Sequence, residues 1–495
     1  MKYKSTLFCI AFLFFSLLLP AQIDTISAPE ASLNYRFQAA GKDGLLVFYD
    51  LEKKDTRELR TYFELYDTSF VRVGLKSVLR SESLDQVIYF YSASTKTMYL
   101  LFFDSPKTER QKNQFKLVSF DIINNAVSTL DGAFPSGFNV TSFYVLNNAG
   151  YIHNFGERWV KINLDDATMK PMNMGVKDAT TIYSSIENIG FHTTSLVFRE
   201  KSKTGSWGFK TRNFGKGKDN KNTTIFSGND SNLATLEMIQ IDSNIKFGSG
   251  TYTKKGSRED EKRFPESEQL INPYFIPSTG YYITKTVRNI QSYIKFFALP
   301  MLDSILDNTA KRVEGDKVTP YKATIHTPIR VDSTYIVIMD IGKRLYRETL
   351  CNVDDYTYVG NKTRVLKYNE LQFEKDIPKY SLVMAFDEMG NMLWKDSFTI
   401  SNKSNWIRLV SSTNLQKSAT DESYQFFYFT NGTMKCKRIT SKGVTDIALA
   451  TSTVMSGITK DGEEVVFQMI PWYGNTGLYS VKVGQKVELI LEKYK

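Results

Sequence analysis

The stretch SLVMAFDEMGNMLWKDSFTI, residues 381–400, constrains the fold of this chain more than any other, because two apolar-alternating runs flank a short polar reversal. Leu382, Met384 and Phe386 share one face of the first run; Met392, Trp394 and Phe398 share one face of the second. Alternation of period two lets a strand bury one face and expose the other. In the reversal, Asp387 can accept from nearby backbone amides and Gly390 can adopt a positive φ. The segment therefore predicts an antiparallel hairpin.

The pattern recurs. YIVIMDIGKRLYRETL places Asp340 and Gly342 between apolar runs, FFYFTNGTMKCKRI centres on Asn431-Gly432, and VVFQMIPWYGNTGLYSVKV carries Gly474-Asn475 between strands. Asn-Gly between alternating runs is a strong tight-turn signal. From Asp340 through Asp387 and Asn431 to Asn475 the intervals are 47, 44 and 44 residues. A hairpin cannot shelter both of its faces, and a near-constant interval of 40–45 residues matches small antiparallel sheets stacked on one another as propeller blades. Upstream, KLVSFDIINNAVSTL and RWVKINLDDATMKPM carry the same reversal, with Asp121 and Asp165 also 44 apart, while Asp50 to Asp121 is 71. The fold class expected is all-β, a β-propeller of seven or eight blades with inserted loops; two smaller propellers or a β-sandwich array are the alternatives. The expected propeller domain spans residues 43–495, after an extension over 22–42. Polar insertions are expected near 210–222 and 248–268, and a short helix over 301–311.

The first residues, MKYKSTLFCIAFLFFSLLLPAQ, join Lys2 and Lys4 to an apolar run over residues 7–19, followed by Pro20-Ala21-Gln22. This reads as a signal peptide over 1–21, since the run is well short of the roughly 20 residues needed to cross a membrane. No later segment approaches that length without charge, so no transmembrane segment is expected after removal. Cys9 follows Phe8, not the small residue a lipid-attachment signal requires. Removal of Lys2 and Lys4 takes the formal charge from +10 to +8, compatible with weak attraction to anionic lipids or polysaccharides. No zinc spacing or aromatic-basic motif points to nucleic acid. Cys351 and Cys436 are the cysteines left after removal, a candidate disulfide in an oxidising compartment, or two separate buried thiols.

Chemistry is sparse in the sequence. His192 and Ser195, in HTTS, are near each other but outside any nucleophile elbow, and His153 and His326 lack ligand spacing. Asp165-Asp166 and Asp354-Asp355 lack an alternating calcium loop and read as solvated turn residues. FGKGKDN has neither phosphate-loop spacing nor a following helix, although Lys216 and Lys218 are candidate contacts for an acidic partner. Trp207, Trp406 and Trp472 are candidate contact anchors, with core packing the equal alternative. No catalytic, metal or cofactor-binding residue is assigned, and no cofactor is expected.

FDEMGNMLW, with Asp387, Gly390 and Trp394, resembles the outer hairpins of quinoprotein-like β-propellers, and the chain as a whole resembles WD40-like and quinoprotein-like propellers of exported proteins. Full WD40 signatures are absent, and Asp387, Gly390 and Trp394 make the one hairpin with all three residues at that spacing. Gln22 at the cleavage junction resembles exported proteins of Bacteroidetes. Asp24-Thr25-Ile26, Asp303-Ser304-Ile305 and Asp332-Ser333-Thr334 resemble the short O-glycosylation acceptor of that group, making Thr25, Ser304 and Ser333 candidate acceptors; ordinary turn hydrogen bonding is the alternative. The resemblance implies a shape and no cofactor or enzymatic assignment; because rigid sheets can orient a broad binding surface, the function expected is a noncatalytic scaffold or accessory component of an envelope or outer-membrane assembly, in the periplasm, at the periplasmic face of the outer membrane or at the cell surface. A carbohydrate-binding or carbohydrate-processing propeller with a glycan ligand is the first alternative, and a quinoprotein-like enzyme the second.

Overall fold

The structure is a computed structural model that describes residues 23–29, 32–52, 58–104, 113–135, 138, 140–146, 149–154, 158–172, 182–188, 193–203, 205–215, 222–225, 230–255, 280–299, 321–355, 364–400, 407–411, 413–418, 421–430, 433–447, 465–470, 472, 476–483 and 486–493. Strand β1 (Ile23–Ser27) precedes sheet 1, which is β2 (Leu33–Ala39), β3 (Leu45–Glu52), β4 (Glu58–Tyr66) and β5 (Arg72–Ser81). Sheet 2 is β6 (Gln86–Ser92), β7 (Thr97–Phe103), β8 (Gln114–Asp121) and β9 (Ala126–Ala133). Sheet 3 is β10 (Val140–Leu146), β11 (Ala149–Asn154), β12 (Arg158–Asn163) and β13 (Met169–Met172). Sheet 4 is β14 (Ile182–Asn188), β15 (Thr193–Lys201), β16 (Trp207–Gly215) and β17 (Asn222–Ile225).

Sheet 5 holds β18 (Ser231–Leu233), β19 (Glu237–Gln240), β20 (Ile245–Lys254), β21 (Gly280–Val287) and β22 (Ile290–Ala298). Sheet 6 holds β23 (Tyr321–Ile325), β24 (Ile329–Val331), β25 (Thr334–Asp355), β26 (Arg364–Phe386) and β27 (Met392–Thr399). After β28 (Ile407–Ser411), sheet 7 is β29 (Thr413–Lys417), β30 (Tyr424–Thr430), β31 (Thr433–Thr440) and β32 (Gly443–Ile447). The last strands, β33 (Val465–Ile470), β34 (Thr476–Val483) and β35 (Lys486–Lys493), join β28 and β1 in sheet 8. Eight successive sheets of four or five strands give the all-β, eight-blade arrangement of a β-propeller.

The chain divides into two compact units, one built from residues 1–138, 403–440 and 444–495, the other from residues 139–402 and 441–443. In the first, β3 is buried on both faces, and alternation sends its residues to different cores. Leu46 and Phe48 join Phe63, Leu65, Met98, Leu100, Phe102 and Phe120 between sheets 1 and 2. Leu45, Val47 and Tyr49 join Ile470, Leu478, Leu489 and Leu491 between sheets 1 and 8. In the second unit Phe247, Tyr281 and Ile283 meet Val337, Met339, Leu382, Met384 and Phe386 between sheets 5 and 6. In each of these three pairs one sheet covers its neighbour's apolar face, as the hairpin argument requires.

Residues 22–42, expected as an extension, instead supply two strands. β1 pairs antiparallel with β35, placing Ile26 opposite Leu489 and in the core, and β2 opens sheet 1. The segments expected as polar insertions also begin inside strands: β16 runs to Gly215, and β20 buries Gly248, Ser249 and Thr251 against β21. A strand buried among neighbours tolerates polar side chains whose backbone is already paired, so polarity alone misplaces these bounds. The helix expected over 301–311 lies outside the described residues.

Asp340 and Gly342 do not form a turn. β25 continues through them for 22 residues and pairs with β26, with a register slip between Ile341 and Gly342 where Pro378 stands opposite. A bulge accommodates Pro, which has no amide to give the ladder. β23 leaves β25 at Lys343 and β27 leaves β26 at Tyr380, yet the β25–β26 ladder runs on for twelve further pairs, from Arg344–Asp376 to Asp355–Arg364. At ~3.4 Å per residue this two-stranded ribbon extends about 40 Å beyond its sheet.

Candidate functional site

The densest set of ionisable side chains in the second unit sits where sheets 5 and 6 meet. The His326 amide donates to the Ile338 carbonyl at 2.9 Å, which keeps the chain after β23 beside β25. The imidazole then lies diagonally across from Asp340, with Nε2 at 2.7 Å from Oδ2. Asp340 stands opposite Ser381 in the ladder, and the Ser381 hydroxyl donates to Asp340 Oδ1. From the neighbouring sheet, Glu237 on β19 accepts from Thr327 Oγ1 at 3.0 Å.

Burial alone would pull the His326 pKa down, but the Asp340 charge, the hydrogen bond to it and the nearby Glu237 charge outweigh burial and raise it. Burial raises the Glu237 carboxyl, against the opposing pull of Thr327 and His326. The order of contacts fixes what the group can do. Nucleophilic catalysis needs the hydroxyl on the imidazole with the carboxylate behind it. Here the carboxylate lies between hydroxyl and imidazole, so Asp340 orients and stabilises a protonated His326, and the Ser381 hydroxyl donates to the carboxylate and not to the imidazole.

A second carboxylate joins the same two sheets. Glu388, in the turn between β26 and β27, is reached by Lys285 Nζ at 2.5 Å, the Tyr335 hydroxyl at 2.9 Å and Arg330 Nη2 at 3.4 Å. Partial burial pushes its carboxyl upward, but the Lys285 and Tyr335 hydrogen bonds and the Lys285 and Arg330 charges hold it below its usual range. Asp387 Oδ1 accepts from the Met389 and Asn391 amides, so the turn is tied down within itself as well. It presents Met389, 68% exposed, and Leu393, 54% exposed.

The candidates from sequence fall in different settings. Trp207 is half-buried, with the Arg199 guanidinium 4.7 Å above its ring and its amide donating to Asn232 Oδ1. Trp472 is buried in the core between sheets 1 and 8, edge-on to Phe70 at 6.5 Å. Trp406, Lys216, Lys218, Ser304 and His192 lie outside the described residues, as do the side chains of Ser195 and Cys351. Cys436 is a buried free thiol whose pKa is pushed up to about 12 by burial. Thr25 and Ser333 are exposed. His153 shares a hydrogen bond with Thr141 Oγ1 at 2.8 Å and packs against Trp159, and burial lowers its pKa. Asp166 accepts from the amide and hydroxyl of Thr168 in the turn after β12. Among the described residues no group of three or more His, Cys, Asp or Glu side chains could hold a metal ion, and no helix is long and apolar enough to cross a membrane.

Sequence reasoning set His326 aside for want of ligand spacing, took Asp340 for a turn residue, and missed Ser381, Glu237, Glu388 and Lys285 as members of these clusters. A usable signal exists for His326 and Asp340. Asp332-Ser333 is a hairpin turn, and counting back along both strands brings His326 beside Ile338 and Asp340. Glu237 and Lys285 come from a different sheet and have no such signal.

No family model and no curated protein sequence matches this chain. Among solved structures it is similar to BamB from Moraxella catarrhalis, at 9% identity over 96% of this chain and 100% of that one, TM-score 0.28. It is also similar to the WD40 domain of SCAP from fission yeast, at 7% identity over 96% and 98%, TM-score 0.40. The polysaccharide lyase Uly1 matches at 9% identity over 94% and 90%, TM-score 0.34.

Proposed function

We propose that this chain is a noncatalytic protein-binding scaffold of a bacterial envelope assembly, exported and held in the periplasm or at the periplasmic face of the outer membrane. The β25–β26 ribbon carries the reading. Beyond Lys343 and Tyr380 its two strands pair with each other and with no other strand among the described residues. An isolated two-stranded ribbon is marginal in water and leaves backbone donors and acceptors along both outer edges. A twelve-pair ribbon is therefore stabilised by a surface that covers it. The carboxylates support the same reading, because Asp340 braces the root of the ribbon and Glu388 the turn at the other end of the sheet instead of activating a nucleophile. Export rests on the Lys2 to Gln22 pattern.

The test deletes residues 344–376 and joins Lys343 to Ile377 through Asn-Gly, which closes the hairpin where those two residues already pair. Gently solubilised envelopes are separated by native electrophoresis, and the mature amino terminus is read by mass spectrometry. The full chain should migrate in a large complex and begin at Gln22. The shortened chain should keep its unfolding midpoint and migrate alone. A full chain that migrates alone, or a shortened one that keeps the complex, overturns the reading.

A further inference from the structure

The outer strand of sheet 1 presents a second surface, in the first compact unit. β5 pairs with β4 and with no other strand among the described residues, so its outer edge carries backbone groups that are not engaged in a ladder. The register slips at Val73, and from Gly74 to Ser81 the pairing is regular. Leu75, Ser77 and Leu79 stand opposite Glu64, Tyr62 and Arg60; Lys76 stands opposite Phe63 and turns the other way.

Four of the eleven exposed large apolar side chains among the described residues cluster here: Val71 at 58%, Val73 at 54%, Leu75 at 48% and Leu79 at 39%. Scattered apolar residues need no explanation, but Leu75 and Leu79, exposed on one face of an open edge with Val71 and Val73 beside the register slip, make a recognition feature. The opposite face carries a positive charge. Lys76 is exposed there, while Arg72, on the face of Leu75, is engaged with the buried Glu64, which also accepts from the hydroxyls of Tyr49 and Tyr66.

We infer that β5 is a docking edge for an extended segment of a partner protein in which acidic residues alternate with apolar ones. The segment adds antiparallel to β5 as a fifth strand. Its apolar side chains cover Leu75 and Leu79 on one face, and its carboxylates, on the other face, meet Lys76. Backbone pairing supplies affinity and the alternating side chains supply selectivity. A second copy of this chain fits less well, because it would bring Lys76 of both copies to one seam. The inference rests on the scaffold reading but uses a surface separate from the ribbon.

The test uses the full chain and two labelled, end-blocked peptides of eight residues, one alternating valine with glutamate and the other valine with lysine. Fluorescence anisotropy should show the glutamate peptide binding about tenfold tighter, the change that one or two opposite-charge cross-strand pairs supply. Hydrogen exchange should slow in residues 72–81. Lys76→Glu should reverse the preference, and Leu75→Thr should weaken both peptides, each with the unfolding midpoint unchanged. Equal binding of both peptides, binding of neither, or an unreversed preference in Lys76→Glu overturns the inference. A concentration-dependent dimer that Leu75→Thr dissolves also overturns it and assigns the edge to a second copy. The chain lacking the ribbon should bind the glutamate peptide as the full chain does, so failure of either surface is read separately.

Discussion

The buried ion pair in sheet 1 offers a stringent test of how these sheets are held. Arg80 Nη2 lies 2.7 Å from Asp50 Oδ2, with the two side chains 2% and 3% exposed. Asp50 also accepts from Thr61 Oγ1 at 2.6 Å and Asn34 Nδ2 at 2.9 Å. Arg80 donates to the Leu84 carbonyl at 2.6 Å and lies 4.6 Å above the Phe102 ring. Arg80→Met keeps an apolar stem against Phe102 but leaves the Asp50 carboxylate buried with two neutral donors. Removing one member of a buried pair in this way costs about 3–5 kcal/mol. Asp50→Asn leaves the guanidinium uncompensated and costs a similar amount. The double variant removes both charges, and because the Asn amide oxygen still accepts one of the Asn34 and Thr61 bonds, its cost falls to the other of those bonds and the one at Leu84, about 1 kcal/mol each. It should therefore cost about 2 kcal/mol, well below the sum of the single variants. Urea unfolding gives the three values, and hydrogen exchange in β3, β4 and β5 localises them. A double variant whose cost equals the sum to within about 0.5 kcal/mol would show that the two charges are not coupled and refute the reasoning.

Two further perturbations address the second unit. The folded pKa of His326 is raised above its ordinary value of about 6.5, so its stabilisation is complete below that pH and is lost as pH rises through the raised value. His326→Gln should abolish this loss in urea midpoints measured from pH 6 upward; an unchanged slope would assign the titration elsewhere, and the raised Glu237 carboxyl is separable because its own loss begins near pH 4.5. Gly390 has φ +75, and a Cβ there would meet the Tyr293 ring at 2.8 Å, whereas one at Gly41, φ +62, meets nothing within 4 Å. Gly41→Ala should cost only the backbone preference, roughly 1–2 kcal/mol, and Gly390→Ala more; equal shifts in thermal midpoint would show that the Tyr293 ring yields freely.

Fold class was legible because alternation and turn chemistry are local. The hairpin over residues 381–400 has the strands and the Asp387 turn expected of it, and Thr430 pairs with Thr433 across Asn431-Gly432. The 44-residue interval is not a blade period, however. Asp387 lies between the third and fourth strands of its sheet, Asn431 between the second and third, and Asn475 between β33 and β34 at the start of the last sheet. The equivalent positions are the turns after β4, β8, β12 and β26, where Asp67, Asp121, Asn163 and Asp387 each accept from a backbone amide two to four residues on. Their spacing is irregular because loops and the ribbon vary in length, and sequence registers length before it registers role. Strand β1 illustrates the other limit: nothing in residues 23–27 announces a partner more than 450 residues away.

The carboxylates share one physical logic that the sequence conceals. Asp50, Glu64, Asp340 and Glu388 each sit at or near a seam between packed sheets and each collects two or more donors. Sheets that bury both faces leave little water at the seam, so a carboxylate there must replace its hydration with donors from several strands. These four carboxylates are accordingly struts. What the struts leave uncommitted is the structure that runs past the packed sheets: the open edge of β5 and the ribbon beyond Lys343. Among the described residues the outer backbone of each pairs with no further strand, and both are rooted beside a carboxylate knot, Glu64 in one case and Asp340 in the other. Rigid roots lower the ordering cost of association at the surfaces they carry.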